Sequence, residues 1–154
     1  MTRPRKLSLP VVEEILGTKP TLANARRTLG GRATSAEGAG RIVAIGSKVG
    51  AVLFASDTEI DVVFDGGLVR RTAPAQCVQH AGDVPDAVRA LSDDARVFAS
   101  IHEGDAVRYE SRGESLRGTL IEKCRYGALV AAVDGGILAV GFRKLWPVST
   151  GDAS

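Results

Sequence analysis

One passage of this chain occurs twice, and both copies are rich in aliphatic residues and glycine. The first copy, GAVLFASDTEIDVVFDGGLV, runs from Gly50 to Val69, and the second, GTLIEKCRYGALVAAVDGGIL, runs from Gly118 to Leu138. Each copy opens with glycine, passes through two apolar runs and reaches an Asp-Gly-Gly turn. Aligning the two turns matches their aspartates and leaves one extra residue inside the second copy. A duplicated β unit of this size predicts two small barrels.

The residues around the two copies support the same interpretation. A glycine followed three residues later by valine precedes each copy, at residues 46–49 and 104–107, and predicts an equivalent lead-in strand. Ile60, Val62 and Phe64 alternate with other residues, which predicts that all three lie on the inner face of one strand. The Asp-Gly pair at the end of each copy predicts a two-residue hairpin loop.

Helix signals flank the β-rich region and suggest the domain organisation. One short helix is predicted between Ser8 and Gly17, and another from Leu22 to Leu29 with Gly30 as its stop. The region of residues 83–92 predicts a linker helix, and the continuation from Asp93 is compatible with helix or strand. We therefore divide the chain into a basic helical extension with a Gly-rich linker at 1–40, a first barrel at 41–82, a linker helix at 83–99 and a second barrel at 100–149.

Composition and charge restrict the function classes. Hydrophobic residues make up 44% of the chain, which is enough for a core, and the net charge of +2 points to no particular partner. Residues 1–50 hold nine Lys or Arg against three Glu. This basic segment either contacts phosphate or an acidic protein surface, or only keeps the segment solvated. No hydrophobic run is long enough to span a membrane, and acids follow the basic start early, so we expect a cytoplasmic protein without membrane partners.

Parts of both copies resemble the general pattern of Tudor-like and KOW-type SH3-like barrels. The second copy carries this likeness in GDAVRYE, GTLIEK, YGALVAAVDGG and FRKLWP, and the first in GSKVGAVLFAS and IDVVFDGG. The resemblance implies a mainly β fold of two SH3-like barrels in tandem, preceded by a short helical extension. It also implies binding of nucleic acid, of methylated or Pro-rich peptides, or of neighbouring domains. A cage for a methylated cation would require convergence of Tyr109, Tyr126, Phe142 and Trp146.

Motifs for catalysis or for cofactor binding are absent from the sequence. His80 and His102 do not stand at zinc-ligand spacing from Cys77 or Cys124, and the chain holds no GxxxxGK[ST], GxSxG or HExxH motif. We therefore expect no enzymatic activity, no catalytic residue, no metal and no cofactor. Strand alternation predicts that the Cys124 side chain lies on the face that holds Leu120, as a structural thiol.

A basic and aromatic cluster is predicted at the open end of the second hairpin. With Asp134-Gly135 as a two-residue loop, Ala132 faces Ile137 and Tyr126 faces Arg143. Four cations beside two rings can hold phosphates and stack bases. The alternative is a Tyr–Arg cross-strand pair, with the tryptophan closing the bottom of the barrel. The candidate binding residues are Lys123, Arg125, Tyr126, Arg143, Lys144 and Trp146.

Three functions remain open at this point. The first is a nucleic-acid-associated binding module that uses the basic arm and the cluster on the second barrel. The second is a protein–protein adaptor or a small structural subunit of a larger assembly, docked through the N-terminal segment. The third is a hydrolase with an unusual site. Salt dependence separates the first two, because phosphate binding weakens steeply with salt and apolar docking does not.

Overall fold

The computed structural model describes residues 5–6, 22–33, 38–111 and 113–148. These residues fall into two compact units, with 5–6 and 38–99 in unit 1 and 22–33 and 100–148 in unit 2. The first predicted helix, between Ser8 and Gly17, lies outside the described residues. The described chain is mainly β, and no helix within it is long and apolar enough to cross a membrane.

Unit 1 is an antiparallel sheet with one long helix. The elements are β1 Arg5–Lys6, β2 Ile42–Ile45, β3 Lys48–Ala55, β4 Ile60–Phe64, β5 Leu68–Thr72, β6 Val78–Gln79 and α2 Asp86–Ala99. The strands have the order β1-β5-β4-β3-β2-β6 in the sheet. A short 3-10 turn at Pro74–Gln76 precedes the last strand.

Unit 2 repeats the same plan with a shorter helix. The elements are α1 Leu22–Thr28, β7 Ala106–Ser111, β8 Glu114–Lys123, β9 Gly127–Ala132, β10 Ile137–Gly141 and β11 Leu145–Pro147. The strands have the order β10-β9-β8-β7-β11, which matches the order in unit 1 strand for strand once β1 is set aside. A 3-10 turn at Phe142–Lys144 again precedes the last strand. Both orders end at two edge strands, so the hydrogen-bonded ladders are open.

Equivalent residues of the two copies differ by a constant residue number, as the strand pairings show. Val52 pairs with Val62 in unit 1, and Leu120 pairs with Val130 in unit 2. Each hairpin has a three-residue loop, at 65–67 in unit 1 and at 133–135 in unit 2. The alignment predicted from the two Asp-Gly-Gly turns is therefore wrong for the strands. Asp65 is the first residue of its loop, whereas Asp134 is the second residue of its loop. The two copies therefore have the same length between the opening glycine and the loop, and the second copy holds no extra residue.

The entry into each sheet also differs from the predicted one. In unit 1 the Gly40 N–H donates to the Val52 carbonyl at 2.7 Å, and in unit 2 the Gly104 N–H donates to the Leu120 carbonyl at 2.7 Å. Both glycines have φ near +90°, which glycine adopts readily. Gly46 instead lies in the turn between β2 and β3. The predicted equivalence of Gly46 and Gly104 is wrong, because the turn that ends the Gly-rich linker forms the lead-in of unit 1.

Glycine opens both copies for one steric reason. A methyl group on Gly50 would lie 2.7 Å from the Val63 carbonyl oxygen, and one on Gly118 would lie 2.5 Å from the Ala131 carbonyl oxygen. These distances are shorter than van der Waals contact, so a side chain at either position would push neighbouring strands apart. The repeated glycine is thus a packing requirement of the sheet.

A β-bulge follows each of these glycines. The pairing of β3 with β4 shifts between Val52 and Phe54, and the pairing of β8 with β9 shifts between Leu120 and Glu122. One extra residue, Ile121 in unit 2, therefore opposes no partner. A bulge exchanges the faces on which all later side chains of its strand lie.

The core of each unit lies on the inner face of its sheet. Ile60, Val62 and Phe64 pack in one cluster with side chains of β2 and β3, which confirms their predicted common face. Unit 2 buries residues at the corresponding positions, except that the counterpart of Phe64 is the half-buried Ala132. The buried counterparts are Val107, Tyr109, Leu120, Ala128 and Val130.

A helix packs against the outer face of each sheet. In unit 1, α2 packs against β3 and buries apolar residues at helical spacing, namely Val88, Leu91, Ala95 and Phe98. The predicted linker helix is thus part of the unit 1 core. In unit 2, the predicted helix at 22–29 is present as α1, and Ala25 and Leu29 cluster with Cys124, Leu129 and Ala139.

The end of α1 follows directly from its sequence. Gly30 and Gly31 both adopt φ near +90°, and their N–H groups donate to the carbonyls of Arg27 and Arg26 at 3.0 and 2.9 Å. This pattern is a Schellman motif, which satisfies the last carbonyls of a helix. Gly30 therefore ends the helix as the sequence predicts.

Candidate functional site

The predicted cluster was built on a hairpin register that the structure corrects. Gly127 pairs with Gly141, and the Phe142 N–H donates to the Tyr126 carbonyl at 3.0 Å. The prediction that Tyr126 faces Arg143 is therefore wrong by one residue, because the loop holds three residues rather than two. Arg125 and Arg143 are still brought to the same end of the hairpin, and both side chains are partly exposed.

The Tyr126 ring belongs to the core of unit 2. Its relative exposure is 1%, and it packs so closely on Gly30 that a side chain there would overlap the ring. Tyr109 and Phe142 are equally buried, at 2% and 1%. Among the four aromatic residues considered for a methyl-cation cage, only Trp146 is partly exposed. The four rings thus do not form an open cage, and replacing Tyr126 would test folding rather than base stacking.

Lys123 is turned into unit 2 by the bulge at Ile121. It pairs with Ala128 on the inner face, and its side chain is 4% exposed. The Lys123 Nζ donates to the Ile101 carbonyl at 2.8 Å. Burial lowers the pKa of this ammonium to about 8, although the carboxylates of Asp105 and Glu103 raise it. Lys123 is therefore a structural cation and, like Tyr126, does not lie on the surface.

The bulge also corrects the predicted position of Cys124. Leu120 opposes Val130 on the inner face, whereas Cys124 packs with Leu129 on the outer face beneath α1. Burial, together with the nearby Glu122 carboxylate, raises the pKa of the Cys124 thiol to about 12. A thiol in this environment stays protonated at neutral pH and is a poor nucleophile.

Trp146 lies in an exposed row that runs across three strands. It pairs with Arg108 on β7, and Arg108 pairs with Arg117 on β8. The Arg108 guanidinium carbon lies 4.6 Å from the centroid of the Trp146 ring, which is a cation–π distance. Arg108 and Arg117 are exposed, and within the described chain neither forms an ion pair with a carboxylate. We call Arg117, Arg108 and Trp146 the basic–aromatic row.

Lys144 lies beside this row but is partly neutralised. Its Nζ is 3.3 Å from the Glu110 Oε1, and both side chains are about one third exposed. Glu110 lies two residues after Arg108 on β7, so it shares the exposed face of that strand. Lys144 therefore contributes less positive potential to the surface than either arginine of the row.

Sequence reasoning missed Arg108 and Arg117, although one signal was available. The alternation in VRYE places Val107 and Tyr109 inside and Arg108 outside, and the structure confirms this alternation. The row itself depends on which residues lie opposite each other on β7, β8 and β11. Cross-strand register of this kind is not encoded in the sequence of one strand.

A shallow depression adjoins the row at Arg117. It has a volume of 310 Å³, a mainly apolar lining, and an open mouth. Its walls are formed by Tyr109, Leu116, Arg117, Ala132, Val133 and Asp134. An apolar hollow next to a guanidinium can accept a flat ring or an aliphatic group carried by an anionic ligand.

Unit 1 holds different residues at the positions of the row. Ala44 pairs with Val78 and also with Val49, so these three occupy the corresponding row on β2, β3 and β6. Charge differs in the same direction, as residues 38–99 carry six Lys or Arg and eight Asp or Glu, whereas residues 22–33 and 100–148 carry ten and six. The basic–aromatic row is therefore specific to unit 2.

Two titratable side chains of unit 1 are influenced by their surroundings. The His80 ring contacts the Asp83 carbonyl at 2.9 Å, and burial raises the pKa of the Cys77 thiol. Within the described ranges, no group of three or more His, Cys, Asp or Glu side chains is placed to hold a metal ion. Comparison with models of known protein families gave no match, and comparison with curated protein sequences gave none either.

Proposed function

We propose that this chain is a non-enzymatic binding protein that contacts nucleic acid through the basic–aromatic row of unit 2. We also propose that each unit is a small SH3-like barrel. In support of that fold, the two units share one order of five strands once β1 is set aside, and β3 and β8 each hold a bulge. After a 3-10 turn, the last strand of each unit pairs with β2 or β7.

The observation that carries the functional proposal is the pairing of Arg108 with Arg117. Like charges directly opposite each other on an antiparallel pair destabilise the sheet. An anion placed between the two guanidinium groups would relieve that repulsion, and Arg binds phosphate oxygens in a bidentate manner. Trp146 beside them offers a ring on which a base can stack.

Further cations of unit 2 extend the positive surface. Arg125 and Arg143 lie together at the end of the β9–β10 hairpin, and α1 contributes the exposed Arg27. Positive charge spread over one unit attracts a polyanion over a longer range than one contact does. The mechanism we propose is therefore electrostatic attraction to phosphates followed by stacking at the row.

The test is fluorescence anisotropy with single-stranded and duplex DNA and RNA over a salt series. A variant that carries the unit 1 residues at the row, with Arg108→Ala, Arg117→Val and Trp146→Val, should lose at least about tenfold in affinity. Each arginine substitution alone should reduce the salt slope by about one charge. Arg89→Ala on α2 is the matched control, since Arg89 is exposed in unit 1, and it should leave binding unchanged.

Two outcomes would contradict the proposal. One is that the intact protein shows no salt-sensitive binding at micromolar concentration. The other is that the variant with unit 1 residues binds nucleic acid as tightly as the natural sequence does. Arg125→Ala and Arg143→Ala then show whether binding extends to the hairpin end, where a loss of about one charge in slope is expected for each.

A protein–protein adaptor is the second candidate, and one observation favours it. Val78 on the edge strand of unit 1 is 67% exposed, and Ala44 and Val49 continue an apolar row beside it. An exposed apolar row at a sheet edge is suited to a protein partner. Affinity capture with nuclease treatment separates the candidates. A partner that survives nuclease and is lost with Val78→Lys favours the adaptor.

A further inference from the structure

β10 lies at one edge of the sheet of unit 2 and presents a row of backbone groups that none of the described strands binds. The Ala132 N–H donates to the Gly136 carbonyl, and the Phe142 N–H donates to the Tyr126 carbonyl. In an antiparallel ladder, residues alternate between those that bond to the neighbour and those that point away. The even-numbered residues of β10 therefore bond to β9. The backbone groups directed away from β9 belong to Ile137, Ala139 and Gly141.

Unit 1 shows that the equivalent edge accepts a further strand. β5 corresponds to β10, and β1 pairs with it in an antiparallel manner, with Arg5 opposite Val69 and Lys6 opposite Leu68. In the register that the two copies share, Val69 corresponds to Ile137. The scaffold thus accommodates an added antiparallel strand at this edge without distortion of the five-strand ladder.

The composition of β10 favours pairing. Its sequence ILAVG holds no charged residue and no proline, and its pairing with β9 shows no bulge. Charges, prolines and bulges are the features with which exposed edges avoid association. β5, by comparison, carries Arg70 and Arg71. The side chains of Ile137 and Ala139 pack on the cluster beneath α1, so the backbone is the part of the edge that can bind.

We infer that β10 pairs in an antiparallel manner with β10 of a second copy of this chain. With a two-fold axis at Ala139, each residue whose backbone groups point away from β9 pairs with another such residue of the second copy. Ala139 then lies opposite Ala139 of the second copy, and Ile137 lies opposite Gly141 of the second copy. Glycine leaves room for the isoleucine side chain, so the edge is complementary to itself.

The charges at the two ends of β10 are complementary in the same arrangement. Asp134 precedes the strand and Arg143 follows it, whereas the Lys144 ammonium is held by Glu110 on β7. Antiparallel pairing brings the acidic end of one copy to the basic end of the other, twice by symmetry. Opposite charges at matched ends favour this register over a shifted one and over parallel pairing. This inference does not rest on nucleic-acid binding.

Sedimentation equilibrium of the full chain over a concentration series tests the inference. The natural sequence should rise from 16.1 kDa towards twice that mass. Ile137→Pro should remain monomeric, because it removes an outward N–H at the first residue of an edge strand and no bond of its own sheet. Ile137→Ala is the matched control. It loses the same side chain but keeps the N–H, and it should dimerise like the natural sequence.

Amide exchange of the natural sequence, followed by NMR, tests the pairing without a variant. With rising protein concentration, the amides of Ile137, Ala139 and Gly141 should gain protection. Those of Leu138 and Val140 should be protected at every concentration, because they bond to β9. A monomer at all concentrations, a dimer that leaves the three outward amides unchanged, or a dimer that persists in folded Ile137→Pro would each overturn the inference.

Discussion

The sheets of unit 1 and unit 2 have the same order of five strands, but helices of different length pack on their outer faces. α2 has 14 residues and packs against β3, whereas α1 has seven residues. The extra residue at each bulge shows the effect of this difference. Leu53 of unit 1 is 1% exposed, and the corresponding Ile121 of unit 2 is 39% exposed. The same five-strand sheet therefore folds with helices of different length on its outer face, because buried side chains pack together on its inner face in both units.

The inner and the exposed positions differ in how freely they vary between the units. The inner positions of β4 and β9 hold apolar residues in both units, as in Val62 and Val130, whereas Lys123 shows that an inner position of β8 holds a buried cation. The opening glycines meet the same carbonyl contact. Exposed positions change character, since Ala44 corresponds to Arg108 and Val78 to Trp146. Steric packing constrains the first group and not the second, so new binding surfaces can arise on the same scaffold.

The largest expected effect comes from removing the anchor of each covering helix. Leu29→Ala should lower the free energy of unfolding of unit 2 by about 2–5 kcal/mol, and Leu91→Ala should do the same for unit 1, because both side chains are fully buried. Trp146 fluorescence follows unit 2, and amide exchange follows unit 1. Arg27→Ala and Arg89→Ala on the exposed helix faces should be neutral. A neutral Leu29→Ala would mean that α1 contributes no cover.

The opening glycines should show a smaller effect of equal size in the two units. Gly50→Ala and Gly118→Ala should each cost about 1–3 kcal/mol, because the new methyl group meets a backbone carbonyl that can move little. Denaturant unfolding with residue-resolved amide exchange measures both. Thr119→Ala, on the exposed neighbour of Gly118, is the control and should change little. Clearly unequal effects would show that the two bends are not equivalent.

Replacement of the two cysteines by serine should lower the stability of the two units to different extents, because the two side chains differ in burial. Cys124→Ser should lower the stability of unit 2 by about 1 kcal/mol, because a hydroxyl replaces a thiol in an apolar cluster. Cys77→Ser should cost less in unit 1, because Cys77 is only partly buried. Melting temperatures and nucleic-acid affinity should be measured together. Unchanged melting with lost binding in Cys124→Ser would indicate a reactive thiol instead of a packing role.

In the natural sequence, the smallest expected net effect is the pH dependence of the stability of unit 2 between pH 9 and 10.5, where two titrating groups oppose each other. The Cys124 thiol has its pKa raised from 9.0 to about 12, so the unfolded chain loses this proton first and stability falls as pH rises from 9 to 12. The Lys123 ammonium has its pKa lowered from 10.5 to about 8, so the unfolded chain binds more protons and stability rises between pH 8 and 10.5. The two slopes oppose each other between pH 9 and 10.5.

Cys124→Ser resolves these two contributions. Without the thiol, the stability of unit 2 should rise between pH 9 and 10.5, with a slope of up to about 1.4 kcal/mol per pH unit. The natural sequence should stay nearly flat over the same range. Urea unfolding followed by Trp146 fluorescence at several pH values measures both. If Cys124→Ser left the slope of the unfolding free energy against pH unchanged, groups other than the Cys124 thiol would cause the pH dependence.

Much of the local structure follows from the sequence. The strands of both copies, the hairpins near the Asp-Gly-Gly turns, and the common face of Ile60, Val62 and Phe64 are as predicted. The stop of α1 at Gly30 is also as predicted. These features depend on near neighbours in the chain, either through alternation along one strand or through a glycine that permits positive φ.

The candidate site was less predictable, because its members are defined by cross-strand register. Two predicted members, Lys123 and Tyr126, lie in the core, and two residues of the exposed row, Arg108 and Arg117, were not among the candidates. One additional loop residue displaced the predicted partner of Tyr126. The charges were visible in the sequence, but their neighbours were not.

The sequence by itself determined the duplicated mainly β plan, the apolar inner faces and the positions of the turns. The tertiary structure decided the loop length, the bulge at Ile121 and therefore which side chains point outwards. The physical reason is that side chains alternate with a period of two along a strand, so one extra residue exchanges the faces of all that follow. Whether that residue is accommodated as a bulge depends on hydrogen bonds with another strand. For this reason Lys123 lies inside unit 2 and Cys124 lies beneath α1.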